Sequence, residues 1–340
     1  MKIKINNKFF NHFSDLKVNF NLDTFGSTFS FKARFNPDNL EHQKIFRPLS
    51  YNEIQIFSND NNLLLTGTIV NNSFSSSQNP ELVSLSGYSK SGILQDVSIP
   101  LSVYPLEKNN QSLSQISSQM IKPFNIGQII DPSAANELSF NYEKVVANVS
   151  DTVAGFLSKL AAQRNVIIGH TTKGDLYYFK AFTNSKSVRA YTTKNVLSSS
   201  IRIDGQGFHR SISVLRQPSD TNDGASTVDS ITNTIVLSDR KVIKTLSSGE
   251  DTDTSKAANN VLAAELKSLQ VSIELPRIDY DLKCGQIVNF QNRELFIYKS
   301  QRFVVNTITY NEDSGSDTMS ISLLLPEAFS GENPKNIFEI

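Results

Sequence analysis

The feature that most constrains this chain is a period of two. At Phe29, Phe31, Ala33 and Phe35 apolar side chains alternate with Ser30, Lys32 and Arg34. Successive side chains of an extended strand point to opposite faces, so this segment reads as a strand with one face buried. The alternation returns around Ile54 and Ile56, from Leu64 to Val70, and at Val83 and Leu85, with the turn-rich clusters SNDNN and NNSFSSSQNP between. Some hundred residues of short strands and polar turns predict an antiparallel sheet folded into a sandwich or barrel. Ser and Asn, roughly a quarter of the chain, favour turns and strand edges, while 22 Phe and 10 Tyr suit half-buried strands.

The period changes after Pro105. Leu113, Ile116, Met120 and Ile121 form a helical stripe that opens with Ser112 and Gln115 at capping-box spacing and stops at Pro123. A second helix is expected from Ser150, burying Val153, Phe156, Leu157 and Leu160. VIIGH and LYYFK then read as a hairpin turning near Gly174. This stretch is a small α+β unit.

From about Ser187 period two resumes, with Ile201 and Ile203, then Ile212 and Val214, then the polar loop QPSDTNDGAST, expected to be mobile. A strand pair is predicted near Ile231 to Val242. An acidic loop then leads into a helix whose Ala258, Val261, Leu262, Leu266 and Leu269 share one face. Val271 to Leu275, Gln286 to Phe290, Glu294 to Tyr298, Phe303 to Tyr310 and Thr318 to Leu325 read as strands, with Met319, Ile321, Leu323 and Leu325 on one side. Two β domains therefore flank an α+β insertion, within the two or so domains expected of 340 residues.

Charge and cysteine narrow the function. Lys plus Arg equals Asp plus Glu at 33 each, so no global attraction to nucleic acid or anionic membrane follows. No apolar run approaches the roughly 18 residues of a membrane span, and stable membrane insertion is not expected. The single Cys284 supplies neither an intramolecular disulfide nor a zinc motif. The start MKIKINNKFF lacks a secretory apolar stretch, which predicts a protein that stays in the cytosol where it is made.

No chemistry-bearing motif emerges. His12, His42, His170 and His209 have no partner at metal-ligand spacing, and no metal or cofactor is expected. DGQG at Asp204 to Gly207 lies between strands rather than opening a helix, which makes it a bulge or tight turn. EDTDT at Glu250 to Thr254 and DSGSD at Asp313 to Asp317 do not match a calcium loop. They read as solvated turns, with Thr254 or Ser255 as a helix N-cap. GxSxG, HExxH and P-loop patterns are absent, so catalysis is not expected.

One stretch carries more. Asn61 to Pro100 joins a strand, a polar turn and a second strand to SGYSKSGILQD. It resembles the baseplate central hub of Mu-like contractile-tail bacteriophages, the tail protein P family, which is similar to the hub of T-even phages. There an "LxxTGxV" strand precedes "VSGRSKxGxLVDCS". Leu63, Thr66, Gly67, Ser86, Gly87, Ser89, Lys90, Gly92, Leu94, Asp96 and Ser98 fill that pattern, with Ile69 and Leu85 for its valines. SLSQISSQMIKPFNI, DTVAGFLSKLAAQRNVIIGHTTKGDLYYFK and LLLPEAF continue the likeness in order. The departures are Tyr88 for Arg, Val97 for Cys and an extension after Phe329.

The resemblance implies a mainly β fold in which two similar β-barrel domains of phage baseplate hub type flank a small α+β domain. That places a first barrel at 1–105, the insertion at 106–185, and a second barrel at 186–326 with a peripheral loop and helix around 240–270. A C-terminal tail at 327–340 follows. It implies a homotrimer whose six near-equivalent barrels join the sixfold tail tube to a trimeric cell-puncturing spike, in contact with other baseplate proteins of the virion tail. Genomic DNA would pass through the channel without sequence-specific binding. The alternatives are the hub of a phage-derived contractile bacteriocin or injection system, and a cell-wall-degrading tail enzyme. The tail's apolar Ile337, Phe338 and Ile340 are expected to dock on a neighbouring subunit or the spike, or else on their own barrel.

Overall fold

In the strand Thr28–Arg34, Phe29, Phe31 and Ala33 are at most 3% exposed, while Thr28, Lys32 and Arg34 face solvent. Period two thus decides which face enters the core. The computed structural model describes residues 1–75, 82–180, 185–215, 228–245, 254–313 and 316–339, without the side chains of Lys256 and Ser316. The loop QPSDTNDGAST and residues 250–253 of EDTDT lie outside them. The described chain is mainly β, 45% strand and 22% helix, and has no helix long and apolar enough to cross a membrane. It divides into two units, one of Met1–Phe179, Arg277–Tyr280 and Ile308–Met319, the other of Lys180–Pro276, Asp281–Thr307 and Ser320–Ile340.

The first unit carries an antiparallel sheet in the order Phe13–Asn21, Thr28–Arg34, Leu82–Ser89, Leu63–Phe74, Glu53–Phe57, Lys2–Ile5, Lys8–Phe10. Ile3, Ile5, Ile54, Ile56, Leu65, Val83 and Leu85 fill its buried face. The α+β part follows. Ser112 and Gln115 close the expected capping box on the helix Leu113–Ile121, and Thr152 caps Val153–Gln163. These two helices share a core of Leu113, Ile116, Met120, Phe156, Leu157 and Leu160 with Leu176 and Tyr178 of the hairpin Ile167–His170 and Leu176–Phe179. Gly174 turns that hairpin at φ 83°, a conformation that costs an L side chain strain.

In the second unit Leu269–Leu275 pairs with Ser198–Ile203, and Ile287–Asn292 lies between Ser187–Thr192 and the Ile297 to Val304 stretch of the strand that follows. Val271, Ile273, Phe290, Phe303, Ile321 and Leu323 are buried. Three expectations change. Val228–Thr232 and Lys241–Thr245 do not pair with each other but occupy opposite edges of Ser211–Leu215, one antiparallel and one parallel. The crossing chain is held there by buried Asn233, whose N–H donates to the Arg210 carbonyl at 2.7 Å, and by the Arg210 N–H, which donates to the Arg240 carbonyl at 2.8 Å. Leu269 belongs not to the helix Thr254–Leu266 but to the following strand, where alternation with Val271, Ile273 and Leu275 outweighs the helical period. Glu294 sits in a 3-10 turn, Arg293–Leu295, because the Asn292 side chain accepts the Glu294 N–H at 2.9 Å. The next strand then runs unbroken from Ile297 to Asp313.

Candidate functional site

The segment SGYSKSGILQD ends the strand Leu82–Ser89, turns through Lys90–Gly92 and enters the short helix Ile93–Asp96. Its glycines are dictated by backbone approach. A Cβ on Gly87 would lie 1.9 Å from the Thr68 carbonyl oxygen, and one on Gly26 would lie 2.7 Å from Gly92 Cα. Ser89 ties the turn down: its N–H donates to the Ser27 carbonyl at 2.7 Å, and its hydroxyl accepts the Ser27 N–H at 3.1 Å. Lys90 Nζ donates to the Asn125 carbonyl at 2.5 Å, and the Thr66 N–H donates to the Thr172 carbonyl at 2.8 Å. Val153 N–H reaches the Val97 carbonyl. The stretch that carries the resemblance is therefore the junction between the first sheet and the α+β part, all within one unit. Burial, and after it the Asp96 carboxylate, raises the Tyr88 phenol.

One pair there has the geometry of a hydrolytic dyad. Ser27 Oγ lies 2.7 Å from His170 Nε2, and His170 Nδ1 lies 3.0 Å from the Thr171 carbonyl. Nδ1 then carries the proton and Nε2 accepts from the serine, the tautomer a general base needs. Ser27, however, is 1% exposed, and burial holds the His170 pKa below 6.5. The bond ties the start of the strand Thr28–Arg34 to the end of the hairpin strand Ile167–His170.

The other candidates are dispersed. His12 and His42 line one groove on the first unit, and His42 Nδ1 accepts the Asn36 N–H at 3.1 Å. His209 bonds Glu265 at 2.7 Å. Among the described residues no group of three or more His, Cys, Asp or Glu could hold a metal. Asp204 caps the turn Gly205–Gly207 by accepting the Gln206 N–H. In the tail, Ile337 is 3% exposed within its own chain, Phe338 is half-buried, and Ile340 lies outside the described residues. Asn333 accepts from Thr234 at 3.3 Å, which fastens the tail to the second unit.

A further feature had no signal in the sequence. Leu49 and Tyr51 sit at φ 58° and 50° and are 76% and 56% exposed. The sequence RPLSY holds no Gly, Asn or Asp to announce left-handed backbone.

No protein-family model and no curated protein matches the chain. Solved structures do. The 43 kDa tail protein of prophage MuSo2 from Shewanella oneidensis is 18% identical with a TM-score of 0.82, over 96% of this chain and 99% of that one. The tail protein from Neisseria meningitidis MC58 is 15% identical with a TM-score of 0.77, over 98% of both chains. An E. coli component of the type VI secretion system, described as structurally similar to the T4 bacteriophage tail proteins gp27 and gp5, is 10% identical. Its TM-score is 0.60, over 99% of this chain and 80% of that one. Over nearly its whole length, the chain has the mainly β fold of these solved proteins.

Proposed function

We propose that this chain is the structural baseplate hub of a contractile phage tail. The observation that carries the reading is the match to a prophage tail protein over 96% of one chain and 99% of the other. The likeness to a type VI component compared with gp27 and gp5 supports the same role. In this reading the domains at 1–105, 106–185 and 186–326 follow the hub plan, and three copies present six near-equivalent β-barrel domains. A threefold object then meets a sixfold tail tube on one face and a trimeric spike on the other, while DNA passes through the middle without sequence-specific contacts. The protein acts by matching symmetries in the virion and breaks no bonds; the burial of Ser27, the serine of the one Ser–His pair described above, supports that. Ile337 anchors the tail, which leaves half-buried Phe338 to meet a neighbouring subunit or the spike.

Light scattering of the chromatographed protein, alone and with its spike partner, tests the reading. The expected mass is about three times 37.8 kDa. A chain that stays monomeric even with its spike contradicts it. The second reading, the hub of a contractile bacteriocin or injection system, shares every one of these contacts and differs only in delivering no genome.

A further inference from the structure

Between the helix Leu40–Ile45 and the strand Glu53–Phe57 the chain makes a loop that is both apolar and rigid. The helix buries none of its residues, and Leu40 is 69%, Leu49 76% and Tyr51 56% exposed. Leu49 and Tyr51 are held at positive φ, where bulky L residues are rare and carry strain. The surrounding structure imposes it. Phe46 is 1% exposed and packs edge-on against Phe10 at 5.6 Å, and three successive carbonyls are captured by carboxamides. Asn52 Nδ2 donates to Lys44 and Ile45 at 3.3 and 2.7 Å, and Asn72 Nδ2 donates to Phe46 at 3.1 Å. Ser50 Oγ closes on the Arg47 carbonyl at 2.7 Å. A loop locked in this way presents its Leu and Tyr with little ordering entropy left to lose, beside the exposed cations Lys44 and Arg47, neither in an ion pair among the described residues.

The other end of the same hairpin is acidic and aromatic. The five residues Glu53–Phe57 span about 17 Å and lead to the turn that holds Asp60. Burial, and behind it the carboxylates of Glu312, Asp317 and Asp60, push the Tyr280 phenol up to about 12. Tyr280 packs edge-on against Tyr310 at 5.4 Å. Glu312 is engaged by the Met1 amine and Lys2 is bonded to Asn61, while exposed Asp60 and Asp317 are in no ion pair among the described residues. One unit thus carries a cationic apolar knob and an anionic aromatic seat at opposite ends of one hairpin. Complementary patches on different parts of a subunit make head-to-tail contacts, which form a ring where the rotation between subunits closes.

We infer that the loop Phe46–Asn52 docks on a second copy of this chain, with Lys44 and Arg47 facing Asp60 and Asp317 around Tyr280. The inference rests on the trimeric ring proposed above and names the surfaces that join it. The test is sedimentation velocity of the full chain at a series of concentrations, comparing wild type with K44E/R47E, with D60K/D317K and with the variant carrying all four changes. All four positions are exposed, and matching thermal melts confirm folding. Each one-sided reversal places like charges across the contact and should weaken self-association more than about tenfold, while the fourfold variant recovers it. The wild-type association should also weaken with added salt. One-sided reversals that leave association unchanged, or a fourfold variant that fails to recover, overturn the inference and leave the ring intact. A wild-type chain that never self-associates, either alone or with its spike, overturns both.

Discussion

Replacing Gly87 by Ala probes the junction most sharply. Gly87 faces Ile69 on one side and Phe29 on the other, in the middle of the first sheet. The new methyl carbon would lie 1.9 Å from the Thr68 carbonyl oxygen and 2.7 Å from Phe29 Cζ. To bring the first contact to 3.4 Å the neighbouring carbonyl must retreat by 1.5 Å, which takes a ladder hydrogen bond out of range. Two weakened bonds cost about 1 kcal/mol each, and overpacking against Phe29 adds roughly 1–3 kcal/mol. The stiffer unfolded chain returns about 0.4–1 kcal/mol. The net loss is about 2–4.6 kcal/mol, or about a 0.7–1.5 M fall in urea midpoint for a slope near 3 kcal/mol/M. Far-UV circular dichroism reads it. Gly205→Ala is the control, because nothing lies within 4 Å of its Cβ, and it should move stability by less than about 0.5 kcal/mol. A Gly87→Ala midpoint indistinguishable from wild type would refute the close approach of these strands.

Phe31 and Ile321 are each 2% exposed, so Phe31→Asp and Ile321→Asp should yield insoluble or unfolded protein, since an unpaired buried charge costs several kcal/mol; a normal melting curve from either would mean that its strand face is assigned wrongly. The His170 pKa lies below 6.5 because burial disfavours its charged form. As pH falls below 6.5 the unfolded chain takes up the proton first, so stability present above that pH is lost toward the lower folded value. His170→Gln should flatten the urea midpoint between pH 7 and 5 relative to wild type, and an unchanged slope would count against this. Ile337→Ala should cost about 2–5 kcal/mol, whereas Phe338→Ser should keep the melting temperature and weaken assembly with subunits or spike. If Phe338→Ser assembles normally, the tail is no interface.

What could be read from the sequence was what a single period specifies. Phe29, Phe31 and Ala33 went where alternation placed them, and Ser112 with Gln115 closed the expected cap. Where two periods share a residue the reading failed: Leu269 continues the helical stripe of Leu262 and Leu266 and also begins the alternation through Leu275, and the sheet takes it. The crossing between Val228–Thr232 and Lys241–Thr245 depends on Asn233 and on Arg210 backbone bonds, long-range contacts that no local pattern encodes. The motif around Gly87 stood out as a string of residues, but that its glycines answer to Thr68 and Phe29 became visible only with the strands in register. Leu49 and Tyr51 gave no sign, because the loop that holds them is fixed by carboxamide bonds from Asn52 at its end and from Asn72 on a distant strand.

The central claim is that one chain with two alike halves reconciles threefold with sixfold symmetry. Electron-microscopic averages of the assembled particle viewed end-on test it most directly. The account predicts a ring with a strong sixfold harmonic over an underlying threefold one, at a mass of three chains. A ring of two, four or six chains, or a threefold particle with no sixfold component, would contradict it.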